Sequence, residues 1–283
     1  MYVLASPRRD FKRIAARGGN PPFTTIANGL AVSPPDSAHY IASMRILVLS
    51  DIHGNWPALL AIREEADAVL CIGDIVEYGP QPAACIDWVR MHAHHSVRGN
   101  HDHGTAQNVD IQGNAGFRYL TAATRKATIE RISNADRRFL ADLPTTKMVT
   151  LGKLRFFLVH ATPRDPLDEY CPGDPKLWEA RLANIKADFV CVGHTHMQFC
   201  LTAKNTKVLN PGSVGLSRDG DPRARYAIIE NGEVELKQLE YPVEDTVKAL
   251  EAWNIDAKAK AMLTDVYRNG KYVAPASAVL EEP

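Results

Sequence analysis

Five short apolar runs in this chain each lead into residues that bind metals or move protons, and that coincidence limits the fold more than any other feature. Residues 46–50 (ILVLS) run into Asp51-Ile52-His53-Gly54-Asn55, and 68–73 (AVLCIG) run into Asp74. The weaker run 96–100 (SVRGN) ends in Asn100-His101-Asp102, 154–160 (LRFFLVH) ends on His160, and 188–194 (DFVCVGH) ends on His194, two positions before His196. Short apolar runs bounded by turn residues read as buried strands. Helical stretches are expected between them, from Pro57 to about 65, from 82 to about 91, and from 116 to 143, where Pro144 closes the pattern. Proline in the first turn, as at Pro57, suits a helix start. Apolar strands alternating with helices argue for a layered α/β domain. Residues 206–210, 225–230 and 233–240 read as a trailing β section with Asn231-Gly232 as its turn, followed by helices near 243–253 and 255–267.

In open α/β sheets ligands gather beyond the carboxyl ends of the strands, so polar residues from different strands can meet there. Five of the chain's 10 histidines (His53, His101, His160, His194 and His196) fall at such ends. Asp51, His53, Asp74, Asn100, His160, His194 and His196 form a mixed nitrogen and oxygen set. It is too rich in imidazole for an ordinary Ca²⁺ or Mg²⁺ cage and has no thiolate, which suits Mn²⁺, Fe²⁺, Zn²⁺, Co²⁺ or Ni²⁺. Asp51-x-His53 and His194-x-His196 each put two side chains on one side if strand geometry continues. Seven ligands exceed the needs of one ion, so two ions about 3.5–4 Å apart, with Asp74 as a shared bridge, are the expectation.

Taken in order, Asp51-x-His53, Gly73-Asp74, Gly99-Asn100-His101-Asp102, His160 and Gly193-His194-x-His196 resemble the five motifs of the calcineurin-like metallophosphoesterases, from Met44 to at least Arg225. The strings GDIVEYGP and NPGSVGLSRDGDPRARYAII are most similar to the small bacterial and archaeal phosphodiesterase branch. The resemblance implies a four-layer αββα sandwich of two mixed sheets with a dinuclear site at the strand ends. It implies that Asp51, His53 and His196 hold one divalent transition-metal ion, that Asn100, His160 and His194 hold a second, and that Asp74 bridges; Mn²⁺ heads the candidates. A bridging hydroxide would attack phosphorus. His101 would serve the leaving group, with Asp102 orienting its ring. The implied activity is hydrolysis of phosphodiesters or small phosphomonoesters. The rivals are a phosphoprotein phosphatase-like activity and a non-catalytic scaffold of the same fold, like the retromer subunit that lacks the acid histidine. Where phosphoprotein phosphatases carry an Asp-Arg pair this chain has Glu77 and Tyr78, and Tyr78 is free in this reading to pack on a base or alkyl group.

Composition narrows the setting. The 283 residues carry 33 basic and 33 acidic side chains, so no broad basic face for long duplex nucleic acid or an anionic membrane is expected. The expected partner is a small phosphate-ester substrate, and self-association is left open. No apolar run approaches the roughly 18 residues of a membrane span. Five cysteines, an odd number with no C-x-x-C, point to reduced thiols and a cytoplasmic protein. Residues 1–43, basic and broken by Pro21, Pro22, Pro34 and Pro35, read as a disordered N-terminal extension ahead of a single domain spanning 44–283. Within that domain, 120–143 is a candidate helical cap and 268–283 a polar tail. The remaining polar motifs have plainer readings. His92, His94 and His95 suit a solvated helix end, His103 an exposed position and Arg98 a salt bridge. The Asn210–Ser213 loop reads as structural, with Ser213 a weak candidate contact, and Arg218, Asp219, Asp221 and Arg223 read as a charged turn.

Overall fold

The computed structural model describes residues 44–272; the expected extension at 1–43 and the tail beyond 272 lie outside the described residues. In the first of two five-stranded sheets, β1 (Arg45–Leu49), β2 (Ala68–Cys71) and β3 (His95–Ser96) run parallel. The second sheet contains β4 (Thr146–Leu151), β5 (Leu154–Val159), β6 (Phe189–Cys191), β7 (Phe199–Ala203) and β8 (Thr206–Asn210). β9 (Ala224–Glu230) and β10 (Glu233–Leu239) complete the first sheet, in the order β10-β9-β1-β2-β3, while the second follows β4-β5-β6-β8-β7. Both are mixed: β5, β6 and β8 are parallel like β1 to β3, and antiparallel pairing adds β9 and β10 at one side of the first sheet and β4 and β7 at the two edges of the second.

The trailing β section is therefore not one unit. β8 joins the second sheet, while the β9–β10 hairpin returns to β1, pairing Ile46 with Ile229. Asn231 and Gly232 turn that hairpin with φ of 53° and 79°, as an Asn-Gly two-residue loop requires.

Strand pleating separates the layers. Ile46 and Val48 of β1 pack with Leu70, Phe156, Leu158, Phe189 and Leu209 between the sheets, where the Phe156 and Phe189 rings stack with centres 5.1 Å apart. The alternate residues Leu47 and Leu49 pack outward against α1 (Trp56–Ala61) and α2 (Pro82–His92). Strands buried on both faces read as continuous apolar runs, which is why β1 and β2 were legible. On the far side, Val159, Val190 and Val208 meet Trp178 and Leu182 at α6 (Pro175–Arg181). The result is the αββα order.

Three helices stand where a loop and one long helix are expected. α3 (Asn100–Gln107) begins directly on Asn100, and the stretch 116–143 divides into α4 (Gly116–Glu130) and α5 (Asn134–Asp142) at Ser133, whose side chain caps α5. α5 packs on α3 and sends Leu140 into the core outside the first sheet. α4 packs on α3 and on α8 (Ala257–Asn269), which, with α7 (Val243–Glu251), forms a separate apolar cluster that includes Tyr78.

Candidate metal centre

All seven ligand-type residues converge at the carboxyl ends of β1, β2, β5 and β6 and the start of α3. Asp51, His53, Asp74, His160 and His196 are buried, while Asn100 and His194 are half-buried and mark the opening. Three overlapping trios bring one ligand atom each within 4.8 Å: Asp51, His53 and His196; His53, Asp74 and His101; and Asp74, His160 and His194. Asp74 belongs to two of them. Its Oδ2 lies 3.1 Å from His160 Nε2 and 3.8 Å from His53 Nε2.

The turns that achieve this are not continued strands. Asp51, His53, Asp74, Glu77, Tyr78, His194 and His196 all have φ between 48° and 70°, seven of the ten non-glycine positive-φ residues described. Each left-handed non-glycine residue costs of order 1–3 kcal/mol, and such strain clusters at functional sites. Asp51 and His53 thus share a side because both residues are left-handed, not because β1 runs on, and the same holds for His194 and His196. The two sheets also approach closely here. A Cβ on Gly193 would lie 2.0 Å from Ser50 Oγ, and one on Gly99 2.0 Å from Asp74 Oδ1, so both motif glycines are sterically required.

The hydrogen bonds fix the tautomers. His53 Nδ1 donates to the Val76 carbonyl (3.1 Å), His160 Nδ1 to the Ile72 carbonyl (2.7 Å) and His196 Nδ1 to the Leu216 carbonyl. A carbonyl accepts only, so each Nδ1 carries a hydrogen, and each ring, when neutral, turns a lone pair at Nε2 toward the cluster. The Nε2 atoms of His53 and His196 stand 3.1 Å apart, and His196 Nε2 lies 3.2 Å from Asp51 Oδ1. Asp51 Oδ1 and His160 Nε2 are buried with no well-aligned hydrogen-bond partner. Lone pairs facing lone pairs and carboxylate oxygens repel unless positive charge lies between them. The donor set therefore fits cations.

Electrostatics point the same way. Burial opposes ionisation of Asp51 and Asp74, but the surrounding imidazoles hold both carboxyls well below the usual range. Burial would also lower His160, yet the Asp74 carboxylate pulls it up to about 10. His53 and His196 are pushed down by burial, and His194 falls to about 4 for the same reason with His160 adding repulsion.

His101 sits beside this cluster, buried, with its Nε2 3.9 Å from Asp74 Oδ2. Its ring is not oriented by Asp102. Neighbouring helix residues do not face each other, and Asp102, in the first turn of α3, instead accepts the backbone N–H groups of Asp74, Ile75 and Gly99. The partner is Glu77, whose Oε2 lies 2.5 Å from His101 Nδ1. Glu77 is fully buried and also accepts from Thr105 Oγ1 (2.9 Å) and from Arg125 Nε (2.5 Å). A carboxylate inside the apolar stretch Ile75-Val76-Glu77-Tyr78 must find a charged partner when buried, and that was the signal available for it. Burial lowers the pKa of His101, but the Asp74 and Glu77 carboxylates outweigh it and the net shift is upward.

Tyr78 is also unlike its expectation. It is buried, its hydroxyl paired with Thr121 Oγ1 (2.8 Å) and 3.4 Å from His101 Nε2, so it is a wall of the site rather than a platform for a base. Arg98 donates to the Ala141 carbonyl rather than to an acid, and His103 is half-buried. His92 is exposed beside Trp88, and His94 Nδ1 accepts the Val69 N–H. Ser213 donates to the Asp51 carbonyl at 2.7 Å and so braces the first turn. No helix among the described residues is long and apolar enough to cross a membrane.

Comparison with known proteins places this geometry. The profile of the calcineurin-like phosphoesterase superfamily domain matches residues 44–233. The chain is 28% identical to a metallophosphoesterase from Sphaerobacter thermophilus, with a TM-score of 0.67 over 81% of this chain and 99% of that one. The protein PH1004 from Pyrococcus horikoshii shares the fold, with a TM-score of 0.70 at 21% identity over 81% of this chain and 99% of its own. Phosphodiesterase YfcE of Escherichia coli is 26% identical over 206 residues, 66% of this chain and 88% of that protein.

Proposed function

The chain belongs to the calcineurin-like phosphoesterase superfamily, and from that premise we propose that it is a dinuclear metal-dependent hydrolase of phosphodiesters or small phosphomonoesters. The observation that carries this reading is the facing of lone pairs at His53 and His196, 3.1 Å apart beside the Asp51 carboxylate. Asp51, His53 and His196 would hold one cation, Asn100, His160 and His194 a second, and Asp74 would serve both. The first and last ligand trios match that division. The similarity to a phosphodiesterase from Escherichia coli supports the substrate class.

When bound, divalent cations supply Lewis acidity toward phosphoryl oxygens and make water a stronger acid. The chain's own residues do the rest. Two +2 cations against the two carboxylates Asp51 and Asp74 leave the site net positive, which draws in an anionic phosphate. Glu77, itself held by Arg125, holds the His101 ring by Nδ1, so that Nε2 faces the cluster. From Nε2 the imidazolium delivers a proton to the leaving oxygen as its bond to phosphorus breaks. General acid catalysis of this kind is typically worth about 10²–10⁴ in rate. Nitrogen and oxygen donors without thiolate favour Mn²⁺ or a neighbouring transition ion over softer metals. A cytoplasmic setting belongs to the same reading and rests on the odd number of thiols.

The test is a matrix of metals and substrates on protein first stripped by chelator. Mn²⁺, Fe²⁺, Zn²⁺, Co²⁺ and Ni²⁺ would each be paired with an aryl phosphodiester, an aryl phosphomonoester and a phosphoserine peptide. Turnover of the small esters with at least one metal and none without is the expected result. Inertness with every metal would refute the reading, and turnover of the peptide alone would replace it with a phosphoprotein phosphatase.

A further inference from the structure

Arg218 stands apart from every other arginine near the site. It follows by two residues the Leu216 carbonyl that holds His196. Its guanidinium carbon lies 4.2 Å from the centre of the Phe117 ring. The Phe117 ring is 6.0 Å from that of Tyr78, and the Tyr78 ring is 4.8 Å from both His53 and His101. The guanidinium thus extends a row of rings that starts at the metal-ligand cluster and the acid histidine.

No carboxylate answers that charge. Arg223 pairs with Asp221, and Arg225 pairs with Asp219 and Asp221, so the acids of the same turn serve other partners. The turn network expected of Arg218 forms without it. Among the described residues Arg218 makes no hydrogen bond and no ion pair, and its Nε is closed off from solvent without a partner. Arg98, Arg137 and Arg225 also leave Nε unpaired, but each uses its Nη groups on a neighbour. A guanidinium whose Nε is shut away from solvent without a partner is costly to keep, and its planar fork matches a phosphate oxyanion.

We propose that Arg218 is a substrate-binding residue that takes the non-bridging oxygens of the phosphate on the His101 side of the site, with Phe117 as the platform that aims it. This rests on the phosphoesterase reading and supplies from a late loop the guanidinium that Tyr78 does not provide. Arg218→Met keeps the stacking length on Phe117 and removes the charge, and Arg218→Lys keeps the charge and removes the fork.

The measurement is calorimetric titration of inorganic phosphate into Mn²⁺-loaded protein, with metal content and melting temperature recorded for each variant. Losing a charge-assisted bidentate contact should weaken phosphate binding about 10–100-fold in Arg218→Met, with metal content unchanged and Arg218→Lys intermediate. Phosphate affinity within twofold of wild type would overturn the proposal, and so would a drop in melting temperature alone, which marks a purely structural arginine. If the wild-type protein binds phosphate but hydrolyses no ester, the phosphoesterase reading fails while this contact is still tested. No phosphate binding by the wild-type protein overturns both.

Discussion

The ligand cluster and the His101 flank lie within a few ångströms of each other and are built by opposite means. In the cluster the side chains are held by main chain: His53, His160 and His196 donate to the carbonyls of Val76, Ile72 and Leu216, and Asp51 Oδ2 accepts the His194 N–H. On the flank, side chains hold side chains: Glu77 grips His101, Arg125 and Thr105, and Thr121 holds Tyr78. Main-chain partners are set by strand register and survive most substitutions, so the cluster is vulnerable chiefly at the ligands themselves. Side-chain partners are single points of failure, and several of them come from α4, far along the chain.

That contrast predicts a graded response. Asp74→Asn should have the largest effect, because its carboxylate is shared by two ligand trios. Activity should fall by more than the about 10–100-fold typical of losing an outer-shell partner, and bound metal measured by elemental analysis should fall with it. Full activity of this variant would break the cluster half of the contrast. His101→Ala comes next, with about a 10²–10⁴-fold loss of turnover on alkyl esters and retained metal. The loss should shrink on an aryl ester whose leaving group needs no proton. Equal rates on the alkyl ester would remove the acid role.

Glu77→Gln should have the smallest effect and the most specific one. Asp74 and Glu77 raise the pKa of His101 from its ordinary value, so the protonated acid persists to higher pH and activity is lost only as pH rises through the raised pKa. Without Glu77 that pKa drops, and the alkaline limb of the rate profile should move to lower pH. The same change leaves Arg125 without its buried partner, and breaking a buried pair from one side typically costs about 3–5 kcal/mol, visible as a lower melting temperature. An unmoved alkaline limb would show that Glu77 serves Arg125 and not His101.

The sequence was legible where local rules sufficed. A strand that ends in a polar residue puts that residue at the sheet's carboxyl edge, and seven such residues do meet. The flank was harder to read. The resemblance implies Asp102 as the ring's partner, but adjacency on a helix turns two side chains about 100° apart, and α3 itself is not legible in the sequence. Glu77 and Arg125 are 48 positions apart, and nothing in either segment names the other. The edge strand β4 escapes notice because its polar, half-exposed residues blur the apolar pattern, and β7 (FCLTA) because it is a short run only three residues past His196. The left-handed turns at Asp51, His53, His194 and His196 are imposed by packing of the two sheets, which no local pattern encodes.

The central claim is that two cations lie among these side chains with Asp74 between them. A crystal of the protein grown with Mn²⁺ and recorded at the manganese absorption edge tests it directly. The account predicts two anomalous peaks about 3.5–4 Å apart, one against Asp51, His53 and His196 and the other against Asn100, His160 and His194, with the Asp74 carboxylate touching both. A map without peaks there, or with the ligand side chains turned away from one another, would contradict it.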